Sequence, residues 1–256
     1  MPQAILQPVI EALVQARANQ QPVDAAPLAH AVTSPELAYE VQQEVAHRLA
    51  WFRQETPRYW KSGGPSRQAV PTHAALPPDG VWSSPVDARA WPFNLRLIEV
   101  EIALRLGREV TAAQAARLTH EEGAALVDAM TVSIEVVDSR WQQGVDAPAL
   151  LKLADLQSHG ALVLGEWIAF VPRDWAAQAC TVQIGARPAM GWRGTHSMGD
   201  PAWVLAPWLR HATRNGQTVP GGTVVTTGTW CGMLPAAAGD LVTARFDGVG
   251  QASVQL

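Results

Sequence analysis

The stretch Leu95-Arg96-Leu97-Ile98-Glu99-Val100-Glu101-Ile102-Ala103-Leu104-Arg105-Leu106 alternates charged and apolar side chains with a period of two. Successive side chains of a β-strand point to opposite sides of the pleat, so this period predicts a strand with two unlike faces. Glu99 and Glu101 fall on the same face and present paired anions across a short distance. Two close like charges are costly without a cation. On this pattern alone, the plainer reading is a solvated strand face.

Downstream, residues 119–137 have helical spacing, with Thr119 as N-cap and Glu122 completing a capping box. The last third of that segment, rich in Val and Ile, reads equally as a strand. It runs into Ile134-Glu135-Val136-Val137-Asp138-Ser139-Arg140, where Glu135 is embedded among apolar residues. A buried carboxylate needs a metal, a cation or several donors. A salt bridge with Arg140 and a role as metal ligand are both open. Three carboxylates with no soft ligand suit a hard cation such as Mg²⁺ or Mn²⁺. Two cysteines, Cys180 and Cys231, cannot build a cysteine-rich metal site or a disulfide framework, and both are expected to stay reduced.

Upstream, residues 56–93 shift to Pro, Gly and Ser, as in Ser62-Gly63-Gly64-Pro65-Ser66 and Pro77-Pro78-Asp79-Gly80, which predicts broken, irregular structure. Lys61 opens the first of these runs and could move protons or neutralise a substrate carboxylate, although a lone lysine is more often a surface group. The run is no phosphate loop, because there the lysine follows the glycines. Residues 1–54 carry helical periodicity: Ile5, Leu6, Val9, Ile10, Leu13 and Val14, then Ser34 as N-cap, Pro35 at the first position, and Leu37, Val41, Val45 and Leu49.

From residue 160 onward, short Val, Ile and Leu runs separated by Gly, Pro and Asp predict a β-rich body, with one helix over 201–215. Thr227 and Gly228 end one such run in a turn whose amides and hydroxyls could bind a carboxylate, though most such turns are structural. His196 could be a base or a satisfied structural side chain. Core packing accounts for most of the 11 tryptophans.

At 256 residues and 48% hydrophobic content the chain can bury a sizeable core. A net charge of -4 argues against a nucleic-acid partner. The N-terminus lacks the pattern of a secretory signal, and no window has the roughly 18 apolar residues a membrane span needs, so a cytoplasmic protein without a membrane role is expected.

The ordered set Tyr59-Trp60-Lys61, 98–103, 134–140 and Thr226-Thr227-Gly228-Thr229, followed by Pro235 and Gly239-Asp240, resembles the fumarylacetoacetate hydrolase superfamily. Within it the chain looks like the 2-oxopent-4-enoate hydratase and 4-oxalocrotonate decarboxylase branch. That resemblance implies a mixed β-roll core; joined to the helical periodicity at the N-terminus, this predicts an α+β fold with an N-terminal helical region over 1–55 and the catalytic domain over 56–256. It implies Glu99, Glu101 and Glu135 as metal ligands, Lys61 and Asp79 as catalytic groups, and Thr227, Gly228 and Ser158 at the substrate. It also implies a homo-oligomer that uses Mg²⁺ or Mn²⁺ to stabilise the enolate of a small 2-oxo acid, most simply as a hydratase. A decarboxylase or C-C hydrolase on the same scaffold is the alternative, and a non-catalytic binding or assembly protein is a further one. The chain departs from the branch after Lys61, across Asp155-Leu156-Gln157-Ser158-His159-Gly160, and at Thr229-Trp230-Cys231, where bulky Trp230 is expected to reshape the pocket.

Overall fold

The computed structural model describes residues 2–53 and 55–256. The N-terminal periodicity produces helices α1 (Pro2–Asn19) and α2 (Pro35–Arg48), the second capped by Ser34, which accepts the Leu37 amide at 3.4 Å. Their apolar faces do not join the main core. Leu6, Val9, Ile10, Leu13, Val41 and Val45 pack instead with Trp141, Leu151 and Leu153, the last two from α5 (Ala149–Ala154).

The segment read as irregular contains four short strands: β1 (Tyr59–Gly63), β2 (Thr72–Ala75), β3 (Val81–Ser83) and β4 (Val86–Asp87). Its Pro and Gly residues punctuate strands too short to show a period. Lys61 therefore lies on a strand and not in a loop. Strand β5 (Leu97–Leu106) follows, then two short helices, α3 (Ala112–Ala115) and α4 (His120–Ala124). The capping box of Thr119 and Glu122 forms, but helix α4 stops after five residues. From there β6 (Val127–Val137) takes over, because β-branched residues lose less rotamer freedom on a pleated sheet than in a helix.

The remaining strands are β7 (His159–Leu164), β8 (Ile168–Ala169), β9 (Ala179–Ile184), β10 (Met190–Arg193), β11 (Val224–Thr226), β12 (Leu234–Pro235), β13 (Leu241–Phe246) and β14 (Gly250–Gln255). The helix expected over 201–215 is a 3₁₀ turn leading into α6 (Leu205–Ala212). One mixed sheet runs β2-β1-β11-β5-β6-β7-β3, with β12 beside β5 and β8 beside β6. The second runs β10-β9-β13-β14-β4 and packs on the first through β13 and β14. Ile98, Val100, Ile102, Ile134, Val136, Ala161 and Val163 face the core between them. The alternate residues of the same strands face the other way, and that face carries the site. No helix among the described residues is long and apolar enough to cross a membrane.

Candidate metal centre

Strands β5 and β6 pair antiparallel with Glu99 opposite Glu135 and Glu101 opposite Ser133. One carboxylate oxygen from each of Glu99, Glu101 and Glu135 lies within 4.8 Å of the others. Glu101 and Glu135 are 2% and 0% exposed, so this is not the solvated strand face that the pattern alone favours.

Each acid is held differently. Glu101 Oε2 accepts the Gly228 amide at 2.8 Å and the Thr226 hydroxyl, and Thr226 Oγ1 lies 2.9 Å from Ser133 Oγ. Glu135 Oε1 accepts from Lys61 Nζ at 2.5 Å and lies 3.0 Å from His159 Nδ1. Glu135 Oε2 is buried with no hydrogen-bond partner. Arg140, the alternative partner for Glu135, is engaged elsewhere: its Nε is 2.7 Å from Asp155 Oδ1, and its Nη1 is 3.3 Å from Asp138 Oδ2.

Burial pushes the Glu99 carboxyl up to about 8, and repulsion from Glu135 and Glu101 adds to this against the pull of Lys61. Burial likewise pushes Glu101 up to about 7, with Glu135 adding to it, while Thr226, Lys61 and the Gly228 amide oppose. Burial also acts upward on Glu135, but Lys61 and His159 outweigh it and hold the group below the usual carboxylate range. For Lys61, burial acts downward and is outweighed by Glu135, Glu99 and Glu101, so its ammonium is held above the ordinary lysine range.

One ammonium cannot balance three converging carboxylates. An all-oxygen donor set with one bare, buried oxygen is the condition a hard divalent cation satisfies. The residues fit such an ion.

Lys61 reaches the cluster from β1, which pairs parallel with β11 in the register Lys61 to Thr226. Its ammonium also donates to the Gln157 carbonyl at 3.3 Å. That carbonyl is presented by a rare backbone: Leu156, Gln157 and Ser158 have φ of 53°, 55° and 58°, three consecutive left-handed residues without a glycine. Left-handed conformation costs about 1–2 kcal/mol for each such residue. Strain of this kind persists only where surrounding structure enforces it.

The other expected site residues are placed as follows. Ser158 Oγ is buried and has no hydrogen-bond partner among the described residues. Thr227 donates its hydroxyl to the Ile102 carbonyl at 2.7 Å, and the Gly228 amide is spent on Glu101. Both donors of that turn are thus committed inside the protein. Asp79 is exposed in a single turn at Pro78–Gly80, where only its backbone carbonyl bonds, to Trp82 Nε1 at 3.0 Å. It stays outside the cluster. His196 is a satisfied structural group, with Nε2 2.9 Å from the Thr227 carbonyl and Nδ1 accepting the Met198 amide. Trp230 does not narrow a pocket: it is 1% exposed in the core against Phe246 and Trp175.

His159, Thr226 and Gln157 bond to the cluster; the sequence shows Thr226 within its Thr-Gly motif and the other two within the divergent 155–160 stretch, without a role for any of them. Strand alternation places Thr226 opposite in direction to Val225, a usable signal. For His159 and Gln157 no local signal exists, because their roles depend on the long-range pairing of β6 with β7. A separate cavity of about 630 Å³, lined by Gln42, His47, Phe52, Trp60, Leu156 and His211 among others, lies on the other side of β1. None of the three acids lines it.

A model of the fumarylacetoacetate (FAA) hydrolase C-terminal family matches residues 17–256. A 2-hydroxyhexa-2,4-dienoate hydratase of Comamonas testosteroni is 30% identical over 163 residues, which are 61% of this chain. The chain spans 58% of the length of that hydratase. Among solved structures, 4-oxalocrotonate decarboxylase from Pseudomonas putida G7 complexed with magnesium and adipate superposes with a TM-score of 0.84 at 20% identity, covering 100% of this chain and 98% of that one. The same decarboxylase complexed with calcium and acetate gives 0.82 over the same coverage, also at 20% identity. These superpositions establish the mixed β-roll fold that the sequence motifs imply.

Proposed function

The chain belongs to the fumarylacetoacetate hydrolase family, and we propose that it is a divalent-metal-dependent lyase acting on a small 2-oxo acid, of the 2-oxopent-4-enoate hydratase type. The observation that carries this reading is the buried triad of Glu99, Glu101 and Glu135, with the bare Glu135 Oε2 and the Lys61 ammonium on the same carboxylate. The name of the hydratase relative supports the reaction type. Magnesium and calcium in the decarboxylase complexes support a hard cation, for which we propose Mg²⁺ or Mn²⁺.

The three glutamates would hold the ion. Once bound, it supplies a Lewis acid at the 2-oxo and carboxylate oxygens of the substrate, where negative charge builds. Lys61 Nζ is the proton carrier: its ammonium gives a proton to the far carbon of a 2-hydroxy-2,4-dienoate, the amine so formed takes the enol proton, and water then adds across the remaining double bond. The unpartnered Ser158 hydroxyl contacts the substrate. Thr227 and Gly228 act there by closing the turn that holds Glu101. Asp79 keeps an acid-base role only if substrate binding draws it in, so unaltered turnover in Asp79→Asn removes it. All these residues lie within the catalytic domain proposed over 56–256. The reading includes a cytoplasmic homo-oligomer, which light scattering on the purified chain tests.

Decarboxylation is the second reading, favoured by one observation: the decarboxylase superposes on the whole chain, whereas the hydratase aligns to 61% of it. The test is a panel of 2-hydroxy-2,4-dienoates, 4-oxalocrotonate and 3-acylpyruvates with Mg²⁺ or with EDTA. Metal-dependent loss of the dienol absorbance without release of CO₂ supports the hydratase. Release of CO₂ selects the second reading, and cleavage of a 3-acylpyruvate selects hydrolysis. A silent panel from protein that binds the metal makes the chain a non-catalytic member.

A further inference from the structure

We propose that His159 is a positioning residue that decides which oxygen of Glu135 meets the cation, an inference that rests on the metal-centre reading above. His159 is 2% exposed, and its Nδ1 lies 3.0 Å from Glu135 Oε1, the same oxygen that Lys61 Nζ approaches to 2.5 Å. An ionised carboxylate only accepts, so Nδ1 is the ring nitrogen that carries hydrogen. Nε2 is buried without a partner, and a second N–H there would be left unsatisfied, which favours the neutral ring.

Two donors on Oε1 fix the rotation of the carboxylate and leave Oε2 bare. Lys61 alone cannot do this. An ammonium has three donors on a flexible stem and can follow either oxygen. Without the imidazole, the Glu135 carboxylate is free to turn until Lys61 bridges both oxygens, which sets the lysine in competition with the cation.

The backbone around His159 is built to hold the ring still. Its carbonyl accepts from Arg140 Nη2 at 2.8 Å, and Arg140 is clamped by Asp155 and Asp138. The left-handed residues 156–158 precede it. Gly160 follows, at a place where an added Cβ would sit 2.7 Å from both Asp138 Cβ and the Val136 carbonyl oxygen. These contacts fix the backbone from which the ring reaches Glu135.

The test is Mn²⁺ binding to the full chain, read from the electron paramagnetic resonance signal of the free ion. Hydrogen bonds to a metal's own ligands typically set about 10- to 100-fold in affinity, so His159→Leu is expected to weaken Mn²⁺ binding by that factor. The Nδ2 of Asn falls where His Nδ1 stands, so His159→Asn should bind within about threefold of wild type. The Nε2 of Gln falls at the other ring nitrogen, and His159→Gln should bind as weakly as His159→Leu. Wild-type affinity in folded His159→Leu overturns the inference, as does equal weakening by Asn and Leu. Should His159→Leu fail to fold, the Asn and Gln variants decide it, and equal affinities overturn it. Wild-type protein that binds no Mn²⁺ at millimolar concentration defeats the metal-centre reading itself, an outcome distinct from a failure of His159 alone.

Discussion

Glu99 and Glu135 stand directly opposite each other on adjacent strands, in one register row of an antiparallel pair, with the Lys61 ammonium on Glu135 as the cation within hydrogen-bond reach. Like charges in that relationship destabilise a sheet unless something neutralises them. Mn²⁺ or Mg²⁺ is therefore expected to stabilise the fold by mass action. At a hundred times its dissociation constant the gain is about 2.7 kcal/mol, or about 5–10 °C in melting temperature for a chain of this size. Differential scanning fluorimetry with and without the ion reads this directly, and Glu135→Gln should lose the shift. A wild-type melting temperature indifferent to millimolar ion counts against the centre.

Lys61 is assigned to proton transfer and not to metal capture. Lys61→Ala should lower turnover by about 10²- to 10⁴-fold, the range of a lost acid-base group. Its affinity for Mn²⁺ should hold or improve, because His159 still holds Glu135 Oε1 and a positive charge beside the cation is gone. Steady-state kinetics and metal titration on one preparation separate the outcomes. Loss of metal together with activity makes Lys61 a structural residue.

Asp155 anchors the network behind the site. Buried at 1% exposure, it accepts from Arg140 Nε at 2.7 Å, from the Arg140 amide at 3.0 Å and from Arg17 Nη2 at 3.0 Å. Breaking a buried pair leaves an uncompensated charge, so Asp155→Ala should cost about 3–5 kcal/mol in urea unfolding. A loss below about 1 kcal/mol, the range of exposed pairs, shows that water reaches Arg140.

Acid should destabilise the fold through a pair of histidines away from the carboxylates. His73 on β2 and His211 on α6 face each other with ring centroids 4.8 Å apart, and His73 Nδ1 lies 2.8 Å from Ser62 Oγ. Burial, then repulsion from His211 and Arg214, lowers His73 well below the usual range. Burial and Arg214 hold His211 down to about 3. Both rings are thus neutral in the fold, while the unfolded chain takes up protons below about 6.5. At these two sites the unfolded state binds more protons through that window, so their contribution to stability falls as pH drops from about 6.5 toward 3, by up to about 1.4 kcal/mol per pH unit per histidine, whereas the raised Glu99 and Glu101 carboxyls act in the opposite sense. Urea midpoints at pH 7.5 and 5.5 measure the slope. His211→Gln should remove one histidine's share of that slope, so the variant gains stability relative to wild type as pH falls, and an unchanged slope would place that share elsewhere.

How far the sequence could reach depended on whether a signal was local. The period of two over 95–106 identified β5 and put Glu99 and Glu101 on one face, and the caps at Ser34 and Thr119 were legible because a cap needs only three following residues. A capping box marks where a helix begins and says nothing of its length, so the change from α4 to β6 is not legible from it. Gly63 and Gly64 make Lys61 look like a loop residue, because a five-residue strand whose partner, β11, lies more than 160 residues away leaves no local period to oppose them. His159 and Gln157 enter the site only through the pairing of β7 with β6 and the left-handed turn before it. The expectation that Trp230 reshapes the pocket fails because bulk alone does not distinguish a pocket wall from a core side chain.

Gly160 offers a sharp check on that geometry. Its φ is not positive, so alanine there meets no conformational penalty, and any cost comes from contact. The added Cβ would sit 2.7 Å from Asp138 Cβ, held by the Asn94 and Leu95 amides on its carboxylate, and 2.7 Å from the Val136 carbonyl oxygen, held on β6. Overpacking of this kind costs about 1–3 kcal/mol, and Gly160→Ala should lower the urea midpoint accordingly. Because the clash pushes β7 away from β6, it should also weaken Mn²⁺ binding through His159. Gly123 in α4 is the matched control: an added Cβ meets Leu205 Cβ at 3.4 Å, an ordinary contact, and alanine in a helix gains about 0.4–1 kcal/mol over glycine. Gly123→Ala should therefore hold or raise the midpoint with metal affinity unchanged. If the two variants unfold alike, the close approach of β7 to β6 at Gly160 is wrong.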